Sequence, residues 1–249
     1  MPRILLLSDL HMCDNESYGY SQRQRLEMLV EDIYSENEKE KIDLILMLGD
    51  YSLDFWCNIG SYVEKGISYT KIFLDEFVGR MPCPTYYIPG NHEQYGHKKW
   101  QEMMGDEREL YTVVDDSVFV LLDNYALDLD PTEHVDGTYS YANVAYIKEL
   151  LEKYPDKRFF LCAHHFEYNN ETEEFKNLVK NEERIEALFA GHRHTKEAVC
   201  LGREYGNKFL FRTGQYVWIA DCSHEHTRWG FRDLKIYDNG FKTEFLCMR

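Results

Sequence analysis

The chain has 249 residues, 44% of them apolar and 29% charged, a composition that excludes a disordered polymer and suits one domain with a substantial core. Its formal net charge of −16 argues against a broad electrostatic hold on long DNA or RNA. No stretch approaches the ~20 apolar residues of a membrane span, the opening "MPRILLLSDLH" lacks a signal-peptide pattern, and seven cysteines without a CxxC suit a reducing cytoplasm better than a disulfide framework.

In chain order, "RILLLS" reads as a first buried strand, and Leu26, Leu29, Val30, Ile33 and Tyr34 recur at helical spacing. "DLILML" (43–48) is a second strand, residues 60–79 carry a looser helical pattern, and "PTYYIP" (84–89) is a third strand. "SVFVLLD" (117–123), "RFFLCA" (158–163) and "ALFAG" (187–191) are further strands. Val144, Ile147, Leu150, Leu151 and Tyr154 mark a helix between the first two of these. After residue 195, "KEAVCL", "KFLFRT", "YVWIA", "RDLKIYD" and "FKTEFLCM" read as antiparallel strands, with "DNG" (238–240) as a hairpin turn. Continuous apolar strands alternating with helices predict an α/β fold of packed sheets covered by helices. No linker or repeat divides it, so residues 1–249 read as a single domain, with 196–249 completing the second sheet.

Five of these strands stop on polar residues. The first ends in Asp9 and His11, two positions apart and so on one side of an extended segment. The others end in Gly49-Asp50, Gly90-Asn91-His92-Glu93, His164-His165 and Gly191-His192-Arg193-His194. Any one of them alone would pass for a turn or a cap. Five together point to a site, because strand ends hold ligand-bearing loops rigidly. Asp9, His11, Asp50, Asn91, His164, His192 and His194 supply four imidazoles, one amide oxygen and two carboxylates. That set exceeds one tetrahedral zinc and suits two metals if a carboxylate bridges them. Nitrogen and oxygen donors without thiolate favour Mn, Fe, Zn, Ni or Co.

The blocks "SDLH", "GDYSLD", "PGNHE", "AHH" and "AGHRH", in that order from residue 8 to 194, resemble the signature of the calcineurin-like metallophosphoesterases. The resemblance implies a four-layer αββα sandwich of two mixed sheets flanked by helices. It also implies a binuclear centre with Asp9, His11, Asp50 and His194 on one metal. Asp50, Asn91, His164 and His192 would hold the other. His92 would meet the substrate phosphate and protonate the leaving oxygen, protonated near neutral pH, while a hydroxide bridging the metals attacks phosphorus. Where the family often has an Asp three residues after the bridging one, this chain has Leu53, so Asp54 is the candidate for orienting His92. The fourth block has no Pro, which leaves His165 as a competitor of His164.

The function implied is hydrolysis of a small phosphate mono- or diester, such as a nucleotide or sugar phosphate. The alternatives are a protein serine/threonine phosphatase, or a scaffold that keeps the fold without the chemistry. Weaker features are "SHEH" (223–226), Lys98 and Lys99, the acidic stretch 123–137, and Tyr51 and Tyr95 as possible stacking surfaces for a base.

Overall fold

The structure is a computed structural model that describes residues 1–13, 19–55, 68–131, 136–216 and 229–248. Two mixed β-sheets pack face to face with helices on both outer faces, the four-layer arrangement expected. The first sheet contains β1 (Arg3–Leu7), β2 (Leu44–Leu48) and β3 (Thr85–Ile88), all parallel. The helix α1 (Gln22–Lys39) lies between β1 and β2 in sequence, and α2 (Tyr69–Glu76) between β2 and β3. After α3 (His97–Met104) the chain enters the second sheet as β4 (Leu110–Val114) and β5 (Ser117–Leu122), then α4 (Val144–Lys153), β6 (Arg158–Ala163), α5 (Glu173–Asn181) and β7 (Ile185–Ala190).

The remaining strands divide between the sheets. β8 (Ala198–Cys200) and β9 (Phe209–Arg212) extend the second sheet, whose order is β4-β5-β6-β7-β9-β8. β10 (Gly230–Tyr237) and β11 (Gly240–Cys247) join the first, in the order β11-β10-β1-β2-β3. This differs from the expectation that residues 196–249 are antiparallel and complete one sheet. β9 runs parallel to β7, and the β10–β11 hairpin, turning at Asp238-Asn239 as the "DNG" signal predicts, pairs with β1. The strand read at "YVWIA" lies outside the described residues beyond Tyr216, and so does "SHEH".

Strand alternation sets the layers. Ile4 and Leu6 face the layer between the sheets with Leu46, Leu48, Phe119, Phe160 and Phe189. Leu5 and Leu7, one residue out of phase, pack under α1 with Leu29 and Ile33. The second sheet does the same, with Leu161 and Leu188 facing Ile147, Leu150 and Val179 of the helices. A capping box starts α1, in which Ser21 and Gln24 bond each other's backbone N–H groups. Arg3 is buried among this packing, and it donates to Asp233 and Glu36, each at 2.9 Å. Hence β1, β2, β3, β6 and β7 all end along one edge of the sandwich, and the five polar strand ends meet there.

Candidate metal centre

The first two loops are zipped together by backbone hydrogen bonds, Asp9 N–H to Gly49 C=O (3.1 Å), Leu10 N–H to Asp50 C=O (2.8 Å) and His11 N–H to the same carbonyl (3.0 Å). Five site residues adopt the left-handed backbone region, Asp9 (φ 60°), His11 (46°), Asp50 (57°), His192 (67°) and His194 (54°). Non-glycine residues rarely sit there, and such strain collects where surrounding structure enforces it for a function. Two glycines make the close approach possible. A Cβ at Gly90 would lie 2.6 Å from Asp50 N, and one at Gly191 would lie 2.7 Å from Asp9 Oδ2.

Glu93 locks the β2 and β3 loops together. Its buried carboxylate accepts N–H groups from Gly90 (2.8 Å), Asp50 (2.8 Å), Tyr51 (2.9 Å) and Ser52 (3.1 Å). Across the gap between the sheets, Ser8 Oγ and Thr213 Oγ1 are 2.6 Å apart, which fixes the end of β1 to the loop after β9.

The side chains converge as three groups among the described residues: Asp9, His11 and His194; His11, Asp50 and His92; and Asp50, His164 and His192. Asp50 Oδ2 is 3.1 Å from His11 Nε2, 3.1 Å from His164 Nε2 and 3.7 Å from His92 Nε2. Asp9 Oδ1 is 3.3 Å from His194 Nε2. Asn91 Oδ1 is 3.0 Å from both His164 Nε2 and His192 Nδ1. All seven sequence-level ligand candidates therefore lie in one cluster, with Asp50 common to two groups.

The protonation pattern tests whether a cation fits. His164 Nδ1 is 2.7 Å from the Leu48 carbonyl, which can only accept, so Nδ1 carries a proton. In the neutral imidazole, Nε2 then presents a lone pair. It faces Asp50 Oδ2, Asn91 Oδ1 and, at 3.3 Å, His192 Nδ1, all of which can act as acceptors. Acceptors that converge in a buried site need a positive charge between them. Without a metal that charge can be a proton. Burial alone would lower the pKa of His164, but Asp50 and Asp9 overcome it and push it up to about 9. Burial would likewise raise Asp50, yet His164, His92 and His11 hold it well below the usual carboxylate range. Burial and the neighbouring His164 press His192 down to about 2, which leaves its ring neutral and free to ligate. The donor set thus fits a cation.

Other expectations need correction. Asp54 does not orient His92. Its buried carboxylate accepts from Tyr69 N–H (2.8 Å), Thr70 N–H (3.1 Å), Ser68 Oγ (3.0 Å) and the Tyr95 hydroxyl, so it anchors the start of α2. The carboxylate facing His92 is Asp136, with Oδ1 3.4 Å from Nδ1. Nor is His92 protonated near neutral pH in this state, since burial lowers it to about 4 against the pull of Asp50 and Asp136. His165 points to a different neighbour, with Nε2 2.7 Å from Glu167 Oε1, and belongs to none of the three groups. Tyr51 is buried against Phe73 (ring centroids 4.4 Å apart) and Tyr95 is buried too, so neither offers a surface for stacking. Tyr125, also buried, packs its ring against the cluster, its centroid 5.8 Å from that of His164 and 6.2 Å from that of His192.

Comparison with known proteins bears on the family and the fold. Residues 2–196 match the family described as calcineurin-like phosphoesterase. The chain is 22% identical over 204 residues, 79% of its own length and 70% of the other, to a probable glycerophosphodiester phosphodiesterase, GpdQ, of Arcobacter nitrofigilis. Among solved structures, the purple acid phosphatase PPD1 from yellow lupin (Lupinus luteus) seeds aligns with a TM-score of 0.56 at 12% identity, over 99% of this chain and 51% of that one. GAP50, the anchor in the inner membrane complex of Plasmodium, aligns with a TM-score of 0.56 at 12% identity over 100% of this chain and 85% of that one. The NAD nucleotidase NadN of Haemophilus influenzae aligns with a TM-score of 0.54 at 13% identity, over 98% and 55%. The chain spans about half the length of the lupin and Haemophilus proteins, and these structural likenesses show the fold alone.

Proposed function

Because the chain belongs to the calcineurin-like phosphoesterase family, we propose that it hydrolyses a small phosphate mono- or diester with two divalent cations. Asp9, His11, Asp50 and His194 hold one ion, and Asp50, Asn91, His164 and His192 hold the other. The observation that carries this reading is the convergence of His164 Nε2, Asp50 Oδ2, Asn91 Oδ1 and His192 Nδ1, four groups within reach of one another with a lone pair each to give. When bound, the ions supply Lewis acidity to the phosphoryl oxygens and lower the pKa of a water that can attack phosphorus. Donors of this kind suit Mn, Fe, Zn, Ni or Co.

The protein's own residues do the rest. Glu93 and the zipped loops hold the donors in place, so no reorganisation is needed when charge develops. His92 is 8% exposed at the rim of the cluster, where an ester would meet it. Its pKa is near 4 without ligands, so it would serve as the acid for the leaving oxygen only where the charge of a bound anionic ester favours its protonated form. Asp136, 3.4 Å from Nδ1, attracts the ring when it carries that proton. The net charge of −16 disfavours long nucleic acid, and the relative described as a probable glycerophosphodiester phosphodiesterase supports diesters as the first substrates to try.

The test uses EDTA-treated protein reloaded with Mn²⁺, assayed on p-nitrophenyl phosphate, bis(p-nitrophenyl) phosphate and a glycerophosphodiester. Turnover that depends on metal is expected. His92→Ala should keep the metal and lose most of the rate, whereas Asp50→Ala should lose both. A chain that takes up no metal and hydrolyses none of the three overturns the reading and leaves a scaffold.

A further inference from the structure

Beside the metal cluster lies a second cavity of ≈ 270 Å³ whose lining includes His165, Glu167, Asn169, Arg193, Glu197 and Arg212. It opens next to the cluster, since His165 follows His164 and Arg193 follows His192, and the His165 and His192 ring centroids are 4.4 Å apart. Its charges are unevenly matched. Glu167 is committed to both His165 Nε2 (2.7 Å) and Arg193 Nη2 (3.0 Å), while Glu197 meets the Thr195 hydroxyl at 3.4 Å. Arg212 is 5% exposed, and among the described residues its guanidinium makes one long hydrogen bond, Nη1 to the Gly191 carbonyl at 3.4 Å. Among the described residues it has no ion-pair partner. His165 Nδ1, also buried, has no hydrogen-bond partner among them either.

Asp9 and Glu197 attract the Arg212 guanidinium from beyond ion-pair distance, and its remaining N–H groups are left for an anion in the cavity to complete. Arg212 is also fixed in position, because it ends β9, pairs with Ala190 of β7, and has its carbonyl held by Arg232 Nε at 2.7 Å. A planar fork that lines a cavity from a fixed strand end suits the oxygens of a phosphate or carboxylate. Arg193 at the mouth adds a second positive group, partly satisfied by Glu167. The two like charges lining one cavity repel each other until an anion enters.

We propose that Arg212, assisted by Arg193, is an anion subsite that receives a second oxyanion of the substrate, so that the preferred esters carry a phosphate or carboxylate besides the phosphoryl group being cleaved. This deepens the phosphoesterase reading and rests on it for the hydrolysis, though not for the binding.

The test has a binding arm and a kinetic arm. Calorimetric titration of inorganic phosphate into EDTA-treated protein should give a site that weakens at least tenfold in Arg212→Gln. In the kinetic arm, Mn²⁺-loaded enzyme is given 1,3-propanediol bisphosphate, 4-phosphooxybutanoate and 1,3-propanediol monophosphate. The kcat/KM ratio of each doubly anionic ester to the monophosphate should be tenfold or more, and should collapse towards one in Arg212→Gln. The bisphosphate and the carboxylate arms distinguish the two oxyanions. Should Arg212→Gln fail to fold, Asn169→Asp, which adds a negative charge at the exposed mouth, should lower the same ratio and weaken phosphate. Equal phosphate affinity in wild type and variants, or a ratio near one in the wild type, overturns the subsite. Arg212-dependent phosphate binding with no hydrolysis of any ester keeps the subsite and overturns the catalytic reading instead.

Discussion

Asp136 Oδ1 lies 3.4 Å from His92 Nδ1 and accepts a hydrogen bond from Asn91 Nδ2 at 3.3 Å, so one carboxylate braces two adjacent residues of the β3 loop. The loop that carries it is tied to the same turn, with Gly137 N–H donating to the Asn91 carbonyl at 2.9 Å. A carboxylate in this position, within ion-pair distance of the His92 ring though not hydrogen-bonded to it, favours its protonated form. Asp136→Asn keeps the shape and removes the charge. Its kcat should fall about 10–100-fold, with metal content unchanged. Steady-state kinetics with metal analysis on the same samples checks this. A full rate in the variant would make Asp136 a bystander.

Glu93 accepts four backbone N–H groups, two on each oxygen. Glu93→Gln leaves one carbonyl oxygen and turns an NH₂ towards donors that need acceptors. The buried N–H groups then go unsatisfied, at a cost of about 2–4 kcal/mol. For a chain of this size the melting temperature should drop by roughly 5–15 °C, with a matching loss of metal affinity because Asp50 loses its anchor. Thermal melts with and without Mn²⁺ measure both, and an unchanged melting temperature would mean the four bonds contribute little.

Much of this site is legible in the sequence because each ligand candidate sits within a few residues of an apolar strand's end, where periodicity places it. Asp136 is not legible in that way. It comes from a long polar loop with no repeat or motif, and only the fold brings it to His92. The Asp54 expectation failed for the same physical reason. Spacing along a loop does not say which way a carboxylate turns, and here backbone N–H groups at the start of α2 claim it. The αββα layering followed from strand–helix alternation. The partition of the last strands did not, because β10 pairs with β1, Arg3 opposite Lys235, across almost the whole chain. The short edge strand β4 was likewise missed, since its pattern of partly exposed residues carries little periodic signal. Arg212 is an ordinary strand residue by sequence, and its having no ion-pair partner among the described residues appears only in three dimensions.

Glycine at position 90 is required by space rather than by backbone angle. An added Cβ would lie 2.6 Å from Asp50 N and closer still to Asp50 Oδ1, and backbone cannot yield as a flexible side chain would. Gly90→Ala should therefore displace Asp50, weaken Mn²⁺ binding by at least tenfold and lower the melting temperature. Gly79→Ala is the control, since nothing lies within 4 Å of its added Cβ and its φ is not left-handed. Its stability should stay within about 0.5 kcal/mol of wild type. Equal Mn²⁺ affinity in both variants would contradict the crowding argument.

Glu109 offers a pH dependence away from the metal cluster. Its Oε1 accepts from Asn143 Nδ2 at 2.7 Å, and Asn143 in turn caps α4 by accepting from Tyr146 N–H at 3.1 Å. Burial raises the Glu109 carboxyl from 4.5 to about 7. The folded state therefore keeps a proton that the unfolded chain releases above about 4.5. The stability this contributes is fully present below pH 4.5 and is lost as pH rises through 7. Glu109→Gln keeps the acceptor for Asn143 and cannot ionise. Its stability relative to wild type should rise between pH 4.5 and 8, measured by urea unfolding at fixed ionic strength. A difference that stays flat across that window would show that Glu109 ionises as freely in the fold as in the unfolded chain.

If a cation binds at His164, the acceptors around it make that binding a stability term as well. Protons and cations compete for His164 Nε2, because Nδ1 is spent on the Leu48 carbonyl and the ring can neutralise its surroundings only through the other nitrogen. A ligand that binds only the folded state adds about 2.7 kcal/mol at a hundredfold excess over its Kd. That corresponds to roughly 5–10 °C in melting temperature for a chain of this length. Mn²⁺ should produce such a shift at pH 8. The shift should shrink towards pH 6, where the proton competes better for a nitrogen whose folded pKa is about 9. His164→Ala removes the nitrogen altogether and should remove the share of the shift that comes from the ion among Asp50, Asn91, His164 and His192, leaving the share of the ion on Asp9, His11, Asp50 and His194. A wild-type shift that is the same at pH 6 and 8, or one retained in full in His164→Ala, would mean that no cation binds among Asp50, Asn91, His164 and His192.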